Sequence, residues 1–221
     1  MTIFISFRKH LNLIKMSKPK LVIFGSSHAK RLTRAVEKNA KYSNFDIKSF
    51  TYPGARYEKL RQMWPTQLMN GLNEQDKVIL QCLGNDMFLP NTHYITYKPK
   101  IIHLKRFAPT ELKEFLKLAQ ALGELVNKVK AQIIIISNPY RTCGCKQHQY
   151  KGLIGHQHRS NNLIKQVFGS RYVDWSKLVT PNKQSRANRC WSKYMELSLD
   201  GVHFKDLVYE KIAQTLFDRL G

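Results

Sequence analysis

Acidic residues are scarce in this chain: 15 Asp+Glu stand against 37 Lys+Arg among 221 residues, a formal charge of +22. Polyanions are the partners such a balance attracts, because phosphate backbones gain affinity by counterion release and anionic membrane surfaces draw basic segments for a similar reason. Cysteine is scarce as well. Four of them (Cys82, Cys143, Cys145, Cys190) in a chain of this length do not make a disulfide framework, and Cys82 falls inside an apolar run. A reducing, intracellular setting, cytoplasm or nucleus, is the expectation. Long hydrophobic runs are missing too, so no membrane span of about 20 apolar residues is available. The opening MTIFISFRKHLNLIKM is too short to span and lacks a basic start with a small-residue cleavage site. Its Arg8, Lys9 and Lys15 give only a weak presequence pattern, so residues 1–18 are expected to form a flexible extension ahead of one domain over 19–221. Nor are there repeats or low-complexity linkers. With 43% hydrophobic and 11% aromatic residues, a packed globule is expected in place of disorder.

What is present alternates. Strand-like runs are followed by helix-like ones, the pattern of a parallel sheet covered by helices. KLVIFG (Lys20 to Gly25) reads as a first strand, with a helix from His28 to Ala40. FDIKSFTY reads as a second strand that ends in a PGA turn. Arg56 to Leu72 is helical in part, kinked or split at Pro65. DKVILQCLGND carries its apolar residues without alternation, so it reads as a third strand buried on both faces. The aromatic and cationic segment between Asp86 and Pro109 reads as an insertion, about 87–109, shaped as a short hairpin. From Glu111 to Lys130, Leu112, Phe115, Leu116, Ala119, Leu122, Val126 and Val129 recur at helical spacing and give a core-facing helix. AQIIIIS (Ala131 to Ser137) is a central strand. A helix over about Ile154 to Phe168, a short strand RYVDW, a long polar loop from Ser176 to Lys193 and a closing amphipathic helix complete the chain.

Chemistry concentrates where strands end. A nucleophilic serine needs a base, a group that orients the base, and donors for the oxyanion formed on its substrate. GSSH places Ser27 on a sharp turn after the first strand, YPGA places Gly54 after the second, and LGND places Asn85 after the third. SLDGVHF sets Asp200 and His203 three apart before the last helix, where the carboxylate can hold one ring nitrogen while the other accepts the proton of Ser27. Gly54 offers an unobstructed backbone N–H and Asn85 a side-chain amide. Each block has a plainer reading: Ser26 and Ser27 as helix N-caps, Asn85 and Asp86 as turn formers, Asp200 and Gly201 as an ordinary turn.

The order Ser, Gly, Asn and then Asp-x-x-His before the C-terminal helix resembles the SGNH hydrolase superfamily, the GDSL-like lipases and esterases. The resemblance covers Lys20 to Leu220. It implies a flavodoxin-like three-layer α/β/α sandwich and a serine esterase acting on ester substrates without a cofactor. It also implies Ser27 as nucleophile, His203 as general base, Asp200 as its partner, and an oxyanion hole made by the Ser27 amide, Gly54 and Asn85. Three positions depart from the family pattern. Ser26 replaces the commoner Asp before the nucleophile, His28 replaces an aliphatic residue after it, and Leu83 stands where a Gly usually precedes the Asn block, with Gly84 one place later.

Two further features bear on partners. The loop KLVTPNKQSRANRCWSKY interleaves Lys177, Lys183, Arg186, Arg189 and Lys193 with Trp191 and Tyr194, a mixture that suits phosphate contacts and base stacking. Lys98, Lys100, Lys105 and Arg106 form a second cluster in the insertion. Some SGNH-like domains are strongly basic and bind RNA after losing catalytic residues, so the resemblance also implies an alternative: an RNA- or DNA-binding module with weak or no catalysis. A solvated basic face is the plainer account. Cys143, Cys145, His148, His156 and His158 suggest zinc, but one residue between the cysteines strains tetrahedral chelation, and no metal is expected.

Overall fold

The computed structural model describes residues 17–89, 93–97, 101–106, 109–139, 150–175, 197, 199 and 202–220, and for 93–97, 101–106 and 150–154 it describes the backbone alone. The strands are β1 (Lys20–Gly25), β2 (Asp46–Thr51), β3 (Lys77–Gln81), β4 (His93–Tyr97), β5 (Ile101–Arg106), β6 (Gln132–Ile136) and β7 (Tyr172–Val173). The helices are α1 (Ser27–Lys38), α2 (Tyr57–Gln62), α3 (Thr66–Asn70), α4 (Leu112–Val126), α5 (Tyr150–Phe168) and a C-terminal α6 (Asp206–Leu220).

Five strands form one sheet in the order β2-β1-β3-β6-β7, every pair parallel. Ranked by chain order within the sheet, this is the flavodoxin-like 2-1-3-4-5 arrangement, whose direction of winding reverses between β1 and β3. The continuous apolar runs follow from burial on both faces. In β1, Leu21 and Ile23 point into one core with Ala29, Leu32 and Val36 of α1 and Val208, Ile212 and Leu216 of α6. Val22 and Phe24 point into the other, against Leu60 of α2, Met69 of α3, Phe115, Ala119 and Leu122 of α4 and Ile164 of α5. Helices on both faces of a parallel sheet make the α/β/α sandwich expected from the sequence.

Several boundaries differ from the sequence reading in informative ways. α1 starts at Ser27, one residue early, and stops at Lys38, where Asn39 turns to extended backbone and its side chain accepts from the Lys41 N–H to open a short 3₁₀ turn. Pro65 splits the segment after β2, as its fixed φ and missing N–H require. α5 begins at Tyr150, four residues before the periodicity suggested, because Gly152 interrupts the apolar pattern without interrupting the helix. The insertion is an antiparallel hairpin of β4 and β5. Phe88 and Pro109 pair as a bridge across its base.

The carboxyl ends of the three strands at the switch point are level. Gly25 pairs with Thr51 of β2 and with Gln81 of β3. The segments carrying Ser27, Gly54 and Asn85 therefore all leave the sheet at one edge, the crevice where open α/β sheets bind ligands.

Candidate active site

Gly25 makes the turn into α1. Its φ of +152° suits glycine alone, and a Cβ there would lie 2.0 Å from the Gln81 carbonyl oxygen. That same carbonyl accepts the Ser26 N–H at 3.1 Å, so β1 and β3 stay paired through the bend. Ser26 occupies the N-cap position of α1 but makes no side-chain cap; its hydroxyl donates instead to Gln81 Oε1 at 2.6 Å. Gln81 Nε2 donates onward to Asn138 Oδ1 at 2.7 Å, and Asn138 exchanges two hydrogen bonds with the side chain of Asn161 on α5. This buried polar chain crosses from β1 through β3 and β6 to α5, and pins the floor beneath Ser27. Nothing in the motif order marks it. A glutamine inside VILQCL is the one sign the sequence carries, since a buried amide demands partners on both of its polar atoms.

Ser27 is the first residue of α1, where backbone N–H groups lack intrahelical acceptors and the helix dipole is positive. Its hydroxyl meets His203, whose Nε2 lies 2.9 Å from Ser27 Oγ across 176 residues of sequence. His203 is held just ahead of α6, where its carbonyl accepts the Leu199 N–H at 2.7 Å and the Lys205 N–H donates to Leu197. Next to Ser27, His28 is buried, shares a 2.8 Å hydrogen bond with the Tyr209 hydroxyl, and lies with its ring 5.1 Å from that of His203. Trp175 and Phe204 close this aromatic cluster at 5.0 Å in edge-to-face contact.

The loops after β2 and β3 are tied to each other. Asn85 Nδ2 donates to the Ala55 carbonyl at 2.8 Å, next to Gly54 in sequence. Because an amide group is planar and carries two N–H groups, this bond also fixes the plane in which the second one lies. The Asp86 carboxylate accepts the Tyr57 N–H with both oxygens, at 3.0 and 3.1 Å, and Arg56 donates to the Phe88 carbonyl. Gly54 has a φ of +76° with open space around its Cβ position, so the backbone and not crowding calls for glycine. Leu83 also has a positive φ, +68°, and is buried in the core. The backbone at this position thus keeps the conformation that a glycine would take freely. The following Gly84 is needed for space: a Cβ there would stand 2.8 Å from Asn138 Oδ1.

Cys82 is buried, and that burial pushes its thiol well above the usual cysteine range, with nearby Asp86 adding to the rise. It is a packing residue, not a nucleophile. His156 donates from Nε2 to the Met87 carbonyl at 2.7 Å, and burial holds its imidazole below the ordinary histidine value. His158 is exposed on α5, where its Nε2 lies 3.2 Å from Asn162 Nδ2. Among the described residues no cluster of three metal-ligating side chains occurs and no helix is long and apolar enough to cross a membrane. Asp200, Lys177, Lys183, Arg186, Arg189, Trp191, Lys193 and Tyr194 lie outside the described residues, as do Lys98, Lys100, Cys143, Cys145, His148 and Cys190. Lys105 and Arg106 fall on β5.

The fold is shared with solved hydrolase structures. A lipase/acylhydrolase from Enterococcus faecalis superposes with a TM-score of 0.60 at 16% identity, over 91% of this chain and 95% of that one. An acetyl xylan esterase matches with a TM-score of 0.60 at 15% identity, over 90% and 98%. A GDSL-like lipase from Bacteroides thetaiotaomicron matches at 0.58 and 11%, over 93% and 91%. No family model and no curated protein sequence matches the chain. At these identities the likeness is one of fold, and the fold is that of the SGNH hydrolases.

Proposed function

We propose that this chain is an SGNH-type serine hydrolase that cleaves esters by acyl transfer through Ser27. The observation that carries the reading is the 2.9 Å approach of His203 Nε2 to Ser27 Oγ at the switch point of the sheet. In this reading Ser27 Oγ attacks the ester carbonyl carbon while His203 Nε2 takes its proton. The carbonyl π pair moves onto oxygen, and the Ser27 and Gly54 N–H groups with Asn85 Nδ2 stabilise that oxyanion. Collapse breaks the bond to the leaving alkoxide, which takes the proton back from His203. Water then repeats the sequence on the acyl-serine and releases the acid. Asp200, assigned from the sequence, holds Nδ1 of His203 and stabilises the imidazolium that forms in each half.

The helix terminus adds to this chemistry. Ser27 sits where the α1 dipole favours negative charge, so an oxyanion formed beside it is stabilised by the helix terminus. The substrate is an acetyl or longer acyl ester, and the +22 charge favours one attached to an anionic lipid or glycan.

The test is hydrolysis of a short-chain nitrophenyl ester by the wild-type chain and by Ser27→Ala. The variant is expected to lose all turnover above background while keeping its circular dichroism spectrum; equal rates for both proteins would overturn the reading. A second reading, a nucleic-acid-binding module on the same fold, is favoured by the net charge and by the cation–aromatic loop around Arg186, Trp191 and Lys193.

A further inference from the structure

Beside the Ser27–His203 pair, the residues that follow each of them in sequence, His28 and Phe204, meet at a common group. His28 follows Ser27 in the first turn of α1, and Phe204 follows His203. One hydroxyl, that of Tyr209 in the first turn of α6, reaches both. It shares the 2.8 Å bond with His28 Nδ1 and accepts the Phe204 N–H at 3.4 Å. His28 and Tyr209 are almost wholly buried, at 5% and 1% exposure. The faces around them are aromatic: Trp175 stands edge-to-face to His28 at 5.6 Å, and the His28 and His203 rings meet at 5.1 Å with a 40° tilt. A polar pair buried in such surroundings is directional, because neither partner can turn to water for a substitute.

We propose that His28 and Tyr209 are positioning residues that hold the His203 ring against Ser27. The inference rests on the hydrolase reading of the Ser27–His203 pair. The Tyr209 hydroxyl is a buried polar tie between the start of α1 and the segment that enters α6, beside the apolar packing of Ala29, Leu32 and Val36 on Val208 and Ile212, and its loss would loosen the contact of the His203 ring with His28. A displacement of about 1 Å between reacting groups costs on the order of 10²-fold in rate. It also explains the departure at position 28: an aliphatic side chain would fill the space but could not answer the Tyr209 hydroxyl.

The experiment compares wild type, Tyr209→Phe, His28→Phe and His28→Asn, all as the full chain. Tyr209→Phe keeps the ring and removes the hydroxyl. His28→Phe keeps a ring and removes the nitrogen, and His28→Asn restores a polar atom near the Nδ1 position. Each is measured for thermal midpoint, for kcat and KM on a nitrophenyl ester, and for the rate at which a fluorophosphonate probe modifies Ser27. The expected result is a drop of at least tenfold in kcat and in labelling rate for Tyr209→Phe and His28→Phe, with KM unchanged, and recovery of most of that loss in His28→Asn. A wild type that labels beside a Tyr209→Phe variant that labels equally fast overturns the positioning role alone. Rates that fall only in step with the thermal midpoint and with KM overturn it too, by making the pair a packing feature. A wild-type chain that neither labels nor turns over overturns the hydrolase reading and this role together.

Discussion

Leu83 illustrates how single residues in this site trade one cost against another. A non-glycine residue in the left-handed region costs about 1–2 kcal/mol, but this leucine is buried in the core beneath the Asn85 turn. Truncating a buried leucine costs about 2–5 kcal/mol, so packing outweighs backbone relief. Leu83→Gly, which installs the residue that SGNH hydrolases commonly have at this place, is therefore expected to lower unfolding free energy by up to about 4 kcal/mol in a urea titration. A gain in stability would show that the backbone strain dominates. The approach of Ser27 to His203 could be anticipated from the sequence because each stands at a turn where a strand ends or a helix begins, and a polar side chain there has no packing duty, while the oxyanion roles of Gly54 and Asn85 belong to the proposal. The Tyr209 hydroxyl was not legible. Its ring lies on the apolar stripe of a C-terminal amphipathic helix, and periodicity reads such a tyrosine as core without revealing where its oxygen points.

At the scale of elements, the central strands β1, β3 and β6 were readable because burial on both faces leaves unbroken apolar runs, and the level carboxyl ends of β1, β2 and β3 follow from the parallel register. The polar crosslinks between elements were not, since they depend on which strands become neighbours. α5 shows the consequence. Its His156 donates to the Met87 carbonyl and so fastens this helix to the loop that carries Asn85 and Asp86. Burial lowers the affinity of this imidazole for a proton, the bond to Met87 opposes that shift, and Arg159 adds to it. The unfolded chain takes up its proton near the ordinary value of about 6.5, before the folded chain does. Stability contributed here is thus fully present above that pH, falls as the pH drops through it, and levels off below the folded-state value. Denaturant midpoints measured between pH 8 and pH 5 are expected to decline, and to decline less steeply in His156→Gln. Parallel slopes in the two proteins would remove His156 from the account.

For the whole molecule, composition and fold speak to different questions. The alternation of elements and the order of the motifs carry the α/β/α architecture, whereas the charge of +22 belongs to the surface and to what it meets in solution. If the basic surface takes a polyanion, affinity for single-stranded RNA should fall linearly in log–log against salt, by at least tenfold between 50 and 200 mM. Arg186→Glu with Arg189→Glu should shallow that slope, and filter binding or fluorescence anisotropy would report both effects. Binding that ignores salt would leave the charge without a nucleic-acid role. Because ester hydrolysis and RNA binding are separate measurements, the same preparation can decide each reading independently.

The Ser26–Gln81–Asn138 chain has a polarity, and every link in it now points the same way: hydroxyl to amide oxygen, amide nitrogen to amide oxygen, with the Asn138 Nδ2 group left buried and unanswered at the far end. An aspartate at position 26 has no proton to give, so both amides would have to turn over together. Gln81 would then donate to the carboxylate and receive from Asn138, putting the stranded nitrogen to use. Ser26→Asp should accordingly fold, and its Gln81 side-chain amide resonances should move by more than those of the wild type do on any change of solvent. A protein whose Gln81 signals stay put would mean that the direction of the relay is frozen by something other than the serine.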